Sequence, residues 1–298
     1  MTFFTKNFKY FALLSAVILI AGLVVGFTTG ANIGVDFSGG TLFTLDMGGE
    51  FDVADVTAAL KAQGISDAPV VKSGTTASVQ DQAVIRFRPF ADDQAENATR
   101  QAIVTALSEK YPDVAVDGVE RVGAVASREL VRNAILSVVI AGVLILGYIW
   151  IRFEFLSGLS AVLCLLHDVA IMVALTIILQ VQINSSFIAA VLTIVGYSIN
   201  NTIVVFDRVR ENTKLLGKRK DTGRDEIVNK SIKESMTRSI NTSITTLLTI
   251  GALYVLGVDS IKEFALPIII GLVAGTYSSV FIATPLWSKL HKKEKKAA

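Results

Sequence analysis

The sequence predicts a polytopic α-helical membrane protein of six transmembrane helices, with one α+β domain set between helices 1 and 2. Three observations predict it. Apolar runs lie near residues 10–28, 134–151, 159–180, 187–206, 240–257 and 264–286, and a span needs about 20 such residues. Lys and Arg gather on one side of those runs. Residues 29–130 carry alternating and helical apolar patterns in place of a continuous apolar run. The composition agrees: 298 residues with 52% hydrophobic and 18% charged residues and a mean hydropathy of +0.56 are too apolar for an ordinary soluble enzyme. The net charge of +2 selects no particular partner, and no nucleic acid is expected to bind.

Residues 1–28 hold a short N-terminus and the first helix. Lys6 and Lys9 precede the run as they would in a signal peptide, but Phe11–Phe27 is long for a signal core and lacks a small-x-small cleavage site, so the span is expected to be retained. Gly34-Val-Asp-Phe-Ser-Gly-Gly40 follows it; Gly39 and Gly40 permit positive φ, as a turn from membrane to domain requires. Within the domain, Thr41–Met47 reads as a strand and Asp52–Lys61 as a helix capped by Asp52. Pro69–Lys72 and Gln82–Arg88 read as strands, Asp92–Lys110 as a helix with Ile103, Val104 and Leu107 inward, and Val114–Val122 as a last strand. The order β-α-β-β-α-β is that of a ferredoxin-like sandwich. Ser127–Leu130 leads into the second span as one continuous helix. Residues 131–286 supply helices 2–6 with a loop at 207–238, and residues 287–298 form a basic tail.

Orientation follows from the basic residues of the short loops. Arg152 separates the second and third spans, a run of Lys and Arg from Arg208 to Arg238 (including Lys218, Arg219 and Lys220) separates the fourth and fifth, and the tail carries Lys289 to Lys296. The opposite loops are nearly bare: Gln180–Ser186 has no charge, and Asp259–Glu263 has only Lys262 as a base. Both termini are expected in the cytoplasm and residues 29–130 outside it.

Polar groups inside apolar helices are the candidates for chemistry. His167 and Asp168 sit near the middle of the third span, where a carboxylate must be neutral or paired; both options suit a proton carrier, and a packing hydrogen bond is the alternative. On the fourth span Tyr197, Asn200, Asn201, Val204 and Arg208 follow 3–4 spacing. Arg238, Asn241 or Thr242, Thr245 and Thr249 do so on the fifth. The two stripes are expected to line one hydrated cleft, with the threonines otherwise acting as glue between helices. Asp207, Arg208, Arg210 and Glu211 mark the cytoplasmic edge, where a solvated helix end is the plain alternative. Gly271, Ala274, Gly275 and Ser278 suit close packing. Cys164, the single cysteine, suits the same role and excludes a disulfide framework or a Cys-rich metal site. No metal site, cofactor, Ser–His pair or paired-Asp constellation is expected, which argues against an intramembrane hydrolase.

These residues resemble the SecF branch of the SecD/SecF family, within the resistance–nodulation–division superfamily. The resemblance rests on Gly34–Gly40 (with Asp36, Phe37, Ser38, Gly39 and Gly40 as the domain-junction motif), on His167-Asp168-Val169, on Gly196–Asn212 and on Arg238–Thr246. It implies six spans in a bacterial cell membrane and a SecD partner completing a twelve-span unit. It also implies work with the SecYEG channel after the ATPase SecA has pushed a preprotein through. The unit would use a proton or sodium gradient along a path between SecD and SecF, with domain movement as the output. A small-molecule or lipid exporter subunit and a scaffold without ion coupling are the alternatives.

The sequence departs from the family at one position. The family pattern has Asn-Asp where this chain has Asn200-Asn201, and that Asp is the main proton-binding carboxylate. Asn201 cannot titrate near neutral pH. It is an introduced mimic of the protonated acid, or coupling runs through Asp168 or the SecD carboxylate, or the unit is not proton-driven. Arg238 resembles the arginine that pairs with the missing carboxylate; beside Asn201 it is expected to snorkel to the cytoplasm or to find Asp207.

Overall fold

The computed structural model describes residues 3–297 apart from 66, 67, 69, 74–80, 88, 89, 91, 217–222 and 258. In chain order, α1 (Phe3–Thr28) leads through a single turn, α2 (Val35–Ser38), into β1 (Gly40–Asp46). The domain continues with α3 (Val53–Ala62), β2 (Val70–Ser73), β3 (Gln82–Phe87), α4 (Asp93–Ser108) and β4 (Ala115–Val122). Then come α5 (Ala124–Arg152), α6 (Phe155–Ile178), α7 (Ser185–Leu216) and α8 (Arg224–Leu256). The last span joins α9 (Asp259–Ser278), a π-helical turn at Ser279–Ala283 and α10 (Thr284–Ala297). The helices long and apolar enough to cross a membrane number six among the described residues, as the sequence predicts.

The domain has the expected β-α-β-β-α-β order, in an antiparallel sheet of strand order β2-β3-β1-β4. Alternation explains its core. Phe43 and Leu45 on β1, with Ile85 on β3, point to one face and are wholly buried against Val56, Leu60 and Ile103 of the two helices. Each such side chain contributes about 1.5–3 kcal/mol when fully buried. Asp52 caps α3 as expected, its carboxylate accepting from Ala54 N at 2.9 Å, and Asp92 caps α4 through Ala95 N at 2.6 Å. A second tie joins the helical layers: Asp55 accepts from Lys110 Nζ at 2.7 Å and from Tyr111 OH at 2.6 Å. These two donors, Lys110 first, hold the Asp55 carboxyl below the usual carboxylate range. Of the expected strand ends, Pro69 and Arg88 lie outside the described residues.

The bundle departs from the sequence reading at the end away from the domain. The expected loop 207–238 is mostly helix, because α7 runs on to Leu216 and α8 already begins at Arg224. Polar side chains zip this hairpin above the apolar run: Arg208 Nε donates to Glu234 at 2.7 Å, and Asn212 Nδ2 to Ser231 at 3.0 Å and Glu234 at 2.7 Å. Hydropathy ends where lipid ends, whereas helical hydrogen bonding continues wherever side chains pair. Lys218, Arg219 and Lys220 lie outside the described residues.

Small residues set the close approaches. A Cβ on Gly22 of α1 would lie 2.5 Å from Ala174 Cβ on α6, and one on Gly271 would lie 2.6 Å from Ile194 of α7. Gly275 sits against Ser198 in the same way, 3.1 Å from its Cβ. The expected packing role of Gly271 and Gly275 therefore has a defined partner, α7. Cys164 is buried and free in the bundle core.

Candidate functional site

The third span brings its two ionisable residues into one polar chain that crosses three helices. Asp168 is 0% exposed. Its Oδ1 lies 2.9 Å from His167 Nδ1, and its Oδ2 accepts a short hydrogen bond from Ser198 Oγ of α7. His167 Nε2 lies 2.8 Å from Ser15 Oγ of α1. The imidazole stacks on Tyr277 of α9, with centroids 6.5 Å apart, and Tyr277 OH donates to Phe11 O at 2.7 Å. Adjacent positions on a helix point about 100° apart, so His167 reaches α1 while Asp168 turns toward α7.

The tautomer follows from the neighbours. A carboxylate accepts from Nδ1–H and from the Ser198 hydroxyl, leaving Nε2 of a neutral imidazole to accept from Ser15. One added proton on His167 reverses that last bond, since Nε2–H then donates to Ser15 Oγ. The neutral and the protonated imidazole thus differ in the direction of the bond that joins α6 to α1.

Ser15, His167 and Asp168 form a hydrogen-bonded Ser–His–Asp sequence that the primary structure did not disclose. The expectation that no Ser–His pair would occur is corrected here. Ser15 lies inside α1, where backbone N–H groups bond to carbonyls four residues back, leaving no free pair of amides to hold an oxyanion. The geometry suits proton exchange rather than acyl transfer. The partners Ser15, Ser198 and Tyr277 were missed because isolated hydroxyls in apolar helices are common and carry no spacing signal.

The stripe expected on the fourth span does not share one face. Asn201 is buried at 2% exposure, whereas Asn200 faces outward. Asn201 Nδ2 has no hydrogen-bond partner among the described residues and is shielded from solvent. Tyr197 OH donates to Ser243 Oγ of α8 at 3.2 Å, and Ser243 also bonds Thr276 of α9 at 2.6 Å. Ser243, not the threonines, is therefore the glue between these helices. The hydroxyls of Thr242, Thr245 and Thr249 turn back onto carbonyls of their own helix, Thr242 onto Arg238 O at 2.9 Å. Arg238 and Asn241 are exposed while Asn201 is buried, so Asn201 and the polar stripe of α8 do not line a shared cleft inside the bundle. Asp207 pairs with Arg152 of α5 at 2.9 Å, not with Arg238. Helix phase decides all of this: α8 turns its serines, Ser231, Ser235, Ser239 and Ser243, into the bundle.

At the other end of the bundle, the junction motif acquires specific partners. Gly39 and Gly40 have φ of 70° and 131°, as expected of the turn. Asp36 Oδ2 accepts from Ser185 N at 2.9 Å and so caps α7; Phe37 O accepts from Ser127 Oγ of α5 at 2.7 Å, and Ser38 Oγ donates to Gly34 O at 3.0 Å. The α6–α7 turn runs against the exit of α1, with Gly34 N bonded to Ile183 O at 2.9 Å and Ile183 N to Asn32 O at 2.8 Å. Arg86 of β3 closes the junction. It is 8% exposed, donates to Asn32 Oδ1 at 3.2 Å and, through a short bond, to Gln182 Oε1, and lies 3.6 Å from Glu263 of α9. Burial lowers the Arg86 pKa from the ordinary arginine value, and the Glu263 charge opposes that shift. No group of three or more His, Cys, Asp or Glu suited to a metal ion occurs among the described residues.

Comparisons with known proteins bear on the family and the fold. A family model described as protein export membrane protein SecD/SecF, C-terminal, matches residues 102–293. The protein translocase subunit SecF of Cereibacter sphaeroides is 39% identical over 272 residues, covering 90% of this chain and 83% of that relative. The SecDF subunit of Bacillus subtilis is 34% identical over 95% of this chain but only 37% of its own length. The crystal structure of SecDF from Thermus thermophilus, a translocon-associated membrane protein, aligns with a TM-score of 0.83 at 32% identity, over 97% of this chain and 38% of that one.

Proposed function

The chain belongs to the SecD/SecF family of protein export membrane proteins, and on that premise we propose that it is a SecF-type subunit whose ion coupling is carried by His167 and Asp168. Paired with a SecD partner, it assists export through SecYEG after SecA, pulling or releasing the preprotein outside the membrane. Both termini face the cytoplasm and the α+β domain faces outward. The single observation that carries the coupling assignment is the fully buried Asp168, bonded to His167 and Ser198 within a chain that reaches Ser15.

Asn201 stands where the family's proton-binding carboxylate is expected, and an amide cannot take up a proton near neutral pH. The His167–Asp168 pair supplies a titratable group within the same bundle. Proton uptake there biases α1, α6 and α7 between two bonding arrangements, and a gradient does work only through such a difference between states. The α6–α7 turn then carries the change to Arg86, the buried cation that ties it to the domain. The exposed Asn200, Arg238 and Asn241, with the half-buried Thr242, are the residues of this set proposed to meet the SecD partner.

The test is reconstitution with SecD and SecYEG, measuring preprotein release with and without an imposed proton gradient. The unmodified chain is expected to respond, Asp168→Asn to lose the response, and Asn201→Asp to keep it. If only Asn201→Asp responds, position 201 is the carrier and the His167–Asp168 assignment fails. If no variant responds, the chain is a scaffold without ion coupling.

A further inference from the structure

A recess of about 420 Å³ opens at the end of the bundle away from the domain, where α5 turns into α6. Arg152, Phe153, Phe206, Arg210, Lys214 and Trp287 line it. Its charges are unequal in their pairing. Arg152 is committed to Asp207 at 2.9 Å and covers the Phe153 ring, 5.2 Å from its centroid. Arg210 and Lys214, one turn apart on α7 and both exposed, have no ion-pair partner among the described residues. Glu154 also lines the recess, so Arg210 and Lys214 outnumber the one carboxylate outside the Arg152–Asp207 pair. Trp287 is 5% exposed, and its indole N–H lacks a hydrogen-bond partner among the described residues.

The recess does not stand alone. Glu154 is shared with an apolar groove of about 150 Å³ between α5 and α6, lined by Leu146, Trp150, Phe155, Leu159 and Val162. Trp150 and Phe155 are 76% and 68% exposed. Aromatic side chains exposed at a helix end mark the boundary between headgroups and acyl chains. A cationic recess at headgroup depth, continuous with an apolar groove running toward the bilayer centre, has the polarity pattern of one phospholipid molecule.

We infer that this recess and groove form a binding site for an anionic phospholipid. The phosphate is held by Arg210 and Lys214, and one acyl chain lies along Leu146, Trp150, Phe155, Leu159 and Val162. Arginine engages phosphate oxygens with paired donors, and lysine adds a point charge. A soluble phosphate would use the cations and leave the groove idle; a zwitterionic lipid would fill the groove and leave the cations in excess.

The test is native mass spectrometry of the full chain in detergent, with equal amounts of phosphatidylglycerol and phosphatidylcholine. Each basic residue near a headgroup is worth about fivefold in affinity, so Arg210→Gln with Lys214→Gln is expected to lower phosphatidylglycerol retention roughly 25-fold. The charge-keeping swap Arg210→Lys with Lys214→Arg is expected to retain the lipid, which separates loss of binding from loss of fold. Quenching of Trp150 by brominated phosphatidylglycerol in nanodiscs, compared with brominated phosphatidylcholine, reads the groove directly. Equal retention of the two lipids by the unmodified chain, or unchanged retention in the double-Gln variant, overturns the site. Displacement of the lipid by inorganic phosphate alone assigns the recess to a soluble anion and also overturns it.

Discussion

Asp168 and Asn201 are both buried polar residues in membrane helices, yet their surroundings are opposite. The carboxylate of Asp168 is met on both oxygens by side chains from its own helix and the next, and the chain continues to a third helix. The amide of Asn201 is buried with its donor unmet. A polar group shielded from water and left without a partner costs stability, whereas a fully bonded network fixes the helices that share it. The comparison teaches that depth in the membrane does not by itself mark a working group. Of these two positions, 168 is the one around which hydrogen-bond partners gather.

The largest expected effect comes from breaking the satisfied site. Asp168→Ala leaves the His167 Nδ1–H and the Ser198 hydroxyl without their shared acceptor; each buried donor left unsatisfied costs about 1–3 kcal/mol, read as lowered thermal stability in mild detergent. Position 201 is expected to answer in the other direction. Asn201→Leu removes an unmet donor at similar volume and should be neutral or stabilising by about 1 kcal/mol. If Asn201→Leu destabilises as strongly as Asp168→Ala, the contrast between the sites collapses.

Two intermediate effects sharpen the comparison by acting through neighbours. Arg86→Gln removes a charge-assisted tie worth about 1.5–3 kcal/mol between the domain and the α6–α7 turn. Hydrogen exchange should rise at residues 30–38 and 179–185 while the domain core around Phe43 and Ile85 stays protected. Gly275→Ala places a methyl 3.1 Å from Ser198 Cβ, and overpacking of this kind costs about 1–3 kcal/mol. Its effect on gradient-dependent release should follow that of Ser198→Ala if Ser198 positions Asp168, and neither substitution should alter SecD binding.

The smallest effect lies in the domain and depends on pH. Lys110 and Tyr111 lower the Asp55 pKa in the folded state from its ordinary value of 3.8. A carboxyl depressed on folding contributes stability that is present above its unfolded pKa and lost as pH falls through the folded one. Asp55→Asn should therefore reduce domain stability at neutral pH and flatten its loss below about pH 4. A variant with the same acid midpoint and slope as the parent removes the Asp55 tie from the account.

Much of the fold was legible because it depends on local sums. Spans follow from hydropathy, the sheet from alternation such as Phe43 and Leu45, and the helix start at Val53 from Asp52 one residue before it. The candidate site was half legible. His167 and Asp168 stand out as ionisable residues in an apolar run, but Ser15 is 152 positions away from His167, and no local pattern joins them. The zipped hairpin beyond position 207 escaped because hydropathy reports lipid contact and not helix length. The π turn at Ser279–Ala283 has no compositional signature of its own.

By itself, then, the sequence determined which segments enter the membrane, the order of the domain's elements, the turn at Gly39 and Gly40, and the titratable pair in the third span. Each of these is set by residues close together in the chain. Only the tertiary structure decided which of the neighbouring amides Asn200 and Asn201 faces inward, that Arg152 rather than Arg238 takes Asp207, and that Ser15 and Ser198 complete the chain through Asp168. Those outcomes depend on the rotation of each helix about its axis. Contacts such as Gly271 on Ile194 and Gly275 on Ser198 fix that rotation, and the 3.6-residue period leaves it open.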